Sequence, residues 1–377
     1  SGGLVGYVGR RFLNNNNTWY QNPSVQITID KASDGTECSA AYANITGAYS
    51  TGGMIGGYDT VYSNNGTSSH SSVIVKSGKI ENCVITGTRG NVDNRDDYYD
   101  YGVGGVIGEM RGNSLKIGEG GDVIVLDTNV VSSAMTGNGM YAGGVVGCLK
   151  TSTSVIRNVK VTGTIDNGLK TDLELGGQQH TIQSGRADAG GVIGRAVGEE
   201  MNPVPALTMS KIQVSGMNIM IDEWKSDGTG SSLFQTSAAI SGNAGGVIGT
   251  NAVKLEISGD DTQPGSGAKV ENCMITTSGG NVGGIAGYLY KSNNNNVFVR
   301  STDIQNSVIQ NNIIGYNNLN KFMGNNTDSG AGGIYGKIFS GRNGDEVNAN
   351  SSMHRLEKTK VSGCWIYGPS AGGVLGH

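Results

Sequence analysis

Gly-Gly-apolar-apolar-Gly occurs nine times in 377 residues: at Gly2–Gly6, Gly52–Gly56, Gly104–Gly108, Gly143–Gly147, Gly190–Gly194, Gly245–Gly249, Gly283–Gly287, Gly332–Gly336 and Gly372–Gly376. Successive starts lie 50, 52, 39, 47, 55, 38, 49 and 40 residues apart. A constant motif with variable spacers is the behaviour of a repeat whose motif is locked in a stack while its loops are free. Ordering a glycine costs about 0.5–1 kcal/mol more than ordering an alanine, so three per motif need a physical reason. Read as one extended strand, the motif alternates its side chains between two faces. The first face carries the first Gly, the first apolar residue, the third Gly and then Val8, Tyr58, Met110, Leu149, Ala196, Asn251, Leu289 or Ile338, and is expected to point into the core. The second face ends at a variable position: Tyr7, Gly57, Glu109, Cys148, Arg195, Thr250, Tyr288, Lys337 and His377. Both faces are mostly small and apolar, which predicts a strand covered on two sides. The glycines then let another layer of backbone approach closely. A phosphate-cradling loop would need a helix after each motif, and no amphipathic run of three turns is readable.

A second element lies between many motifs: "IENCVITG" (Ile80–Gly87), "IRNVKVTG" (Ile156–Gly163), "VENCMIT" (Val270–Thr276), and weaker forms at Lys211–Gly216 and Thr359–Gly368. These β-branched, period-two segments ending in Gly have strand chemistry. The expected fold is therefore all-β, an elongated β-solenoid (β-helix) built from nine repeats with variable loops. It forms a single array over residues 1–377, with repeats starting near 2, 52, 104, 143, 190, 245, 283, 332 and 372. Both ends read as mid-repeat and uncapped, so the expectation is either a piece of a longer array or head-to-tail stacking of copies.

Composition narrows the function classes. With 64 Gly but 5 Pro, the chain is neither collagen-like nor a linker. Charged residues make up 15% and the net charge is −4 with no basic patch, which argues against a nucleic-acid partner. Apolar runs are short and broken by Gly, so no membrane span is expected, and no signal peptide is visible at Ser1. Cys38, Cys83, Cys148, Cys273 and Cys364 lack metal spacing and read as small buried residues.

Repeated Gly-Gly-Leu/Val-Val/Ile-Gly, separated by Asn-Cys-x-Ile/Val-x-Gly, resembles the GLUG-motif repeats of large bacterial surface and secreted proteins. The match is carried by GGLVG at Gly2–Gly6, GGVIG at Gly190–Gly194 and "ENCVITG" at Glu81–Gly87, and extends over essentially the full chain. The resemblance implies an extended β-solenoid in adhesins and host-facing surface proteins, hence an extracellular or cell-surface location. In some relatives such repeats accompany an IgA-cleaving metallopeptidase domain. Here His70, His180, His354 and His377 form no HExxH pair, so peptidase activity is not carried over.

The spacers are rich in Asn, which tolerates left-handed turns; Asn82, Asn158 and Asn272 are candidates for an inward-facing ladder between successive repeats. Candidate N-glycosylation sequons stand at Asn16, Asn44, Asn65, Asn325 and Asn350. The most distinctive insertion, "NVDNRDDYYDYG", clusters Asp93, Asp96, Asp97 and Asp100 with Tyr98, Tyr99 and Tyr101. Three readings stay open for it. The carboxylates suit Ca²⁺, the one cofactor considered, although EF-hand spacing is missing; the tyrosines suit a contact surface for sugar or a neighbouring chain; or it is a solvated loop. The leading expectation is a structural, non-catalytic protein whose partner is itself, forming a filament, stalk or adhesin shaft. The alternative is a glycan- or host-surface-binding module. A β-helix polysaccharide-degrading enzyme ranks third, because no paired carboxylates on one face can be assembled from the sequence.

Overall fold

The repeated motif folds as a corner rather than as a straight strand. In the computed structural model a short strand runs through the first glycine, the chain bends at the second glycine and first apolar residue, and a new strand starts at the second apolar residue, as in Thr51–Gly52 and Ile55–Asp59. The structure describes residues 1–8, 25–59, 72–88, 101–132, 140–165, 180–185, 187–197, 205–221, 242–289, 301–316, 329–338 and 354–377. Among these the protein is all-β, and every strand pairing is parallel. The strands fall into one 20-stranded sheet, which curls into half a barrel, and two 8-stranded sheets.

Pairing follows the repeat. Gly52 pairs with Gly2 and with Gly104, Gly104 with Gly143, Gly143 with Gly190, Gly190 with Gly245, Gly245 with Gly283, Gly283 with Gly332 and Gly332 with Gly372. Each repeat therefore contributes one rung, and five strand positions recur in it. In the second rung they are Thr51–Gly52, Ile55–Asp59, Ser72–Val75, Gly78–Glu81 and Val84–Gly87, here called columns one to five. Strand pairing can also continue across a corner, as Val146–Thr162 runs through columns two to four with Asn158 at positive φ inside it.

The corner explains the glycines better than flat stacking does. A methyl group built on the second glycine would overlap the carbonyl oxygen of the second glycine in the next rung, as Gly53 meets Gly105, Gly144 meets Gly191 and Gly191 meets Gly246. On the first glycine it would strike the chain's own carbonyl three residues on, and on the third the backbone of the rung before. The first apolar carbonyl accepts two amides at once: Met54 and Ile55 both donate to Val106 O at 2.9 Å, and Val192 and Ile193 both donate to Val247 O at 2.9 Å. The predicted alternation of faces is overturned at this bend. Both apolar residues of the motif enter the core, as Met54, Ile55, Val106 and Ile107 show, all fully buried. Two residues past the motif, Tyr58, Met110, Leu149 and Ala196 also lie in the core, as expected.

Columns three to five stack inward-facing apolar residues, most of them branched. Val75, Ile117, Ile156, Met209, Ile257 and Ile304 form one line, in register from rung to rung. Buried lines of this kind provide the main stabilisation, about 1.5–3 kcal/mol for each such side chain.

The corners between columns use left-handed backbone. Asn82, Asp127, Asn272 and Asn311 have φ of 46–54° between columns four and five, where Gly216 and Gly363 stand in other rungs. Asn158, Lys211, Asn306 and Lys358 do the same between columns three and four. The expected ladder of Asn82, Asn158 and Asn272 is thus corrected. They occupy two different corners, are half-buried and take a positive φ, which favours Asn; Asn158 also donates Nδ2 to Gly118 O of the rung before at 2.7 Å. Replacing Asn272 by Val should cost about 1–2 kcal/mol in chemical unfolding, with Asn272→Gly costing clearly less.

All five cysteines are free. Cys83 and Cys273 follow the column-four corner and donate Sγ–H to the carbonyls of Glu81 and Glu271 at 3.3 Å. Burial pushes the Cys273 thiol up to about 12 and raises that of Cys364. Cys83, Cys148 and Cys273 are buried packing residues, whereas Cys38 and Cys364 are half-buried.

Candidate functional site

Where columns one and two meet at the corner, polar side chains line up in a seam along the stack. One side is the position two before the first glycine: Ser50, Tyr141, Asp188, Asn243 and Asn281. The other is the variable position after the third glycine, continued two residues further on. In register across neighbouring rungs this second side reads Gly57–Glu109–Cys148–Arg195–Thr250 and, beside it, Asp59–Arg111–Lys150. Tyr141, Cys148 and Ala187 form a small apolar cluster of their own, apart from the main core.

Two polar groups occupy the seam. In the second to fourth rungs, Asp59, Glu109, Arg111 and Lys150 come together. Glu109 and Asp59 are each 2% exposed. Glu109 Oε2 accepts a hydrogen bond from Ser50 Oγ at 2.6 Å, and Arg111 Nε lies 3.9 Å from Asp59 Oδ1. Burial pushes the Glu109 carboxyl up to about 7. The Asp59 charge adds to this, while the Ser50 hydrogen bond and the Lys150 and Arg111 cations act against it.

In the fourth to seventh rungs the seam becomes a ladder. The Asn243 amide N–H and side-chain Nδ2 both donate to Asp188 Oδ1, at 2.9 and 3.0 Å, and Nδ2 also donates to Thr250 Oγ1 at 3.0 Å. Asn281 repeats the pattern one rung on: its N–H and Nδ2 donate to Asn243 Oδ1 at 2.9 Å, and Asn281 Oδ1 accepts from Gly330 N at 3.0 Å. Arg195 lies over the Tyr141 ring, 4.9 Å from its centroid, and donates to the Tyr141 hydroxyl. Burial raises the Asp188 carboxyl, and the Arg195 charge opposes that rise. A ladder of stacked amides therefore exists, at residues other than those expected. Asn243→Leu removes the side-chain donor to Asp188 and Thr250 and leaves the Asn281 N–H and Nδ2 without their shared acceptor, while Asp188 keeps the backbone N–H of residue 243; a loss of about 2–3 kcal/mol in urea unfolding is expected, on the scale of a buried polar group left unsatisfied.

Of the residues singled out from the sequence, Asp93, Asp96, Asp97, Tyr98, Tyr99 and Asp100 lie outside the described residues, as do Asn16, Asn65, Asn325 and Asn350. Tyr101 is described: it is half-buried, and its ring stands 5.0 Å from that of Tyr49 at 42°. Asn44 is exposed on the column-five strand Asn44–Gly47. Among the described residues no group of three or more His, Cys, Asp or Glu is placed to hold a metal ion. The seam itself was missed. Its one visible signal is the variable position, where Glu109 and Arg195 interrupt an otherwise small and apolar pattern.

Chemically, the seam holds ionisable groups away from water. A carboxyl near neutrality beside a second acid and two cations is the kind of cluster that marks active sites. Here its acids are enclosed and its hydrogen bonds run between rungs, an arrangement that ties rungs together. No protein-family model, no curated protein and no solved structure matches the chain.

Proposed function

We propose that the protein is a structural, non-catalytic β-solenoid, extracellular or displayed at a cell surface, that forms a filament, stalk or adhesin shaft. It does so by head-to-tail stacking or within a longer chain. The observation that carries this reading is the registered parallel pairing of each motif with the next, from Gly2 to Gly372. At about 4.8 Å per rung the column is roughly 38 Å long. Three further features support it. The strongest polar cluster is sealed from solvent and joins rungs, the apolar lines continue through every described rung, and the motifs resemble GLUG repeats. Removal of a whole rung tests the reading. Deleting residues 190–244 joins Ala189 to Gly245, its equivalent being Gly190, so rung four should dock on rung six in the same register. A folded chain with undiminished β-signal per residue is expected. Collapse to an unfolded chain would count against the solenoid.

A second reading draws on the Tyr49–Tyr101 pair, in which Tyr49 is 48% exposed and Tyr101 directly follows the tyrosine-rich insertion in sequence. It is a glycan-binding surface at Tyr98, Tyr99 and Tyr101. Binding on a glycan array that is lost in the triple alanine variant would support it, and the absence of any bound glycan would remove it.

A further inference from the structure

Of the sequons, Asn44-Ile45-Thr46 is the one that lies within the described residues. Side chains alternate between two faces along its strand, Asn44–Gly47. Asn44 and Thr46 are exposed, while Ile45 between them is the register partner of the fully buried Ile85. The amide and the hydroxyl that define the sequon therefore both stand on the outer face of column five. That face is open in flanked rungs too: Val84, paired between Asn44 and Asn129, is 40% exposed. Asn311, at the corner that leads into column five of the seventh rung, is exposed as well.

The corner beside this amide departs from its equivalents. Asn82, Asp127, Gly216, Asn272, Asn311 and Gly363 take positive φ between columns four and five, and all are residues suited to left-handed backbone. In the first rung the same position is Tyr42, with a φ of 53° and 80% exposed. Left-handed backbone is unfavourable for a bulky side chain, and this ring is not repaid by the core. Tyr42 stands two residues before Asn44, so their Cα atoms lie within about 7 Å. Val84, the partner of Asn44 in the next rung, is about 4.8 Å away. An open ring and a branched side chain beside an exposed amide form a surface on which the C–H face of a sugar packs.

We propose that Asn44 carries an N-linked oligosaccharide whose first sugars pack over Tyr42 and Val84. This rests on the extracellular location of the previous subsection. In the transfer, Asn44 Nδ2 attacks the anomeric carbon of a sugar held on a lipid diphosphate. The new C–N bond replaces the C–O bond, the lipid diphosphate leaves with the bonding electron pair, and the amide gives up one proton. Nothing is oxidised or reduced. The attached glycan leaves the stack intact, because the Asn44 side chain faces away from the column while the strand keeps its pairing with Val84–Gly87. Tyrosine at a left-handed corner then has a reason that lies outside the protein core.

The test takes the full chain from the surface or culture fluid of its source cells and maps the peptide that carries Asn44 by mass spectrometry. A glycan is expected on Asn44, released by an amidase that leaves aspartate in its place. Asn44→Gln and Thr46→Ala, expressed in the same cells, should each abolish it, whereas Thr46→Ser should keep it. Releasing the glycan should lower the melting temperature of the wild type by a few degrees. In Tyr42→Ala, which keeps the sequon, that difference should be lost. A chain exported with Asn44 unmodified overturns the proposal and leaves the location standing. A chain found only inside the cell removes the location and the proposal with it. A melting temperature indifferent to release of the glycan overturns its packing on Tyr42.

Discussion

Gly191→Ala should destabilise the protein by about 3 kcal/mol, the upper end of the usual cost of overpacking. The added methyl would overlap the Gly246 carbonyl oxygen and come against the Val214 side chain at 2.8 Å. A side chain could rotate away from such a clash, but this oxygen belongs to the neighbouring rung, whose backbone is held by hydrogen bonds on both sides. Relief would require two rungs to separate, breaking paired amides such as Val192 and Ile193 on Val247 O. Gly373→Ala is the matched control, because Gly373 is also a second glycine and nothing lies within 4 Å of the new atom; its effect should stay within about 0.5 kcal/mol, as for an ordinary surface change. Urea midpoints of the two variants decide the matter. Equal midpoints would mean that close backbone approach is not what requires glycine in the corner.

Glu109→Gln should stabilise the protein at alkaline pH and do little in acid. The folded-state carboxyl stands at about 7 against an ordinary 4.5, so folding favours its protonated form. The stability this group contributes is complete below about pH 4.5 and is lost as pH rises through about 7. A difference of 2.5 units between those two values corresponds to about 3 kcal/mol once the group is ionised. Unfolding free energies of wild type and variant should coincide near pH 4.5 and diverge by about that amount above pH 8. The groups facing Glu109 are Ser50, Asp59, Arg111 and Lys150. Of these only Asp59 shares its sign, so Asp59→Asn should lower the midpoint of the wild-type loss. If the wild type instead gains stability as pH rises through 7, Glu109 is not held neutral by burial.

Much of the fold was legible in the sequence because the repeat is written in residues with narrow physical uses. Nine copies of a three-glycine motif, with β-branched segments between them, lead to parallel all-β pairing. The Gly2-to-Gly372 register follows the motif spacing rung by rung. Face assignment within the motif was not legible. Alternation presumes an unbroken strand, and the bend at Gly53 and Met54 puts Met54 and Ile55 both in the core. Asparagine was ambiguous for a similar reason. Asn82 and Asn272 serve left-handed corners, whereas Asn243 and Asn281 serve a hydrogen-bonded ladder, and residue type alone does not separate the two uses. The seam escaped notice because its partners are far apart in the chain: Ser50 bonds Glu109 across 59 residues and Tyr141 bonds Arg195 across 54.

Spin-label distances along one face test the central claim, one rung per repeat, most directly. Lys79, Lys160, Lys269 and Lys360 stand on successive even rungs of column four, linked in register through Ile124, Gln213 and Val308. With Cys38 and Cys364 replaced by serine, labels at positions 79 and 269 should lie about 19 Å apart and at 79 and 360 about 29 Å apart, four and six rungs at about 4.8 Å each. Separations that do not grow in this proportion would contradict the stacked arrangement.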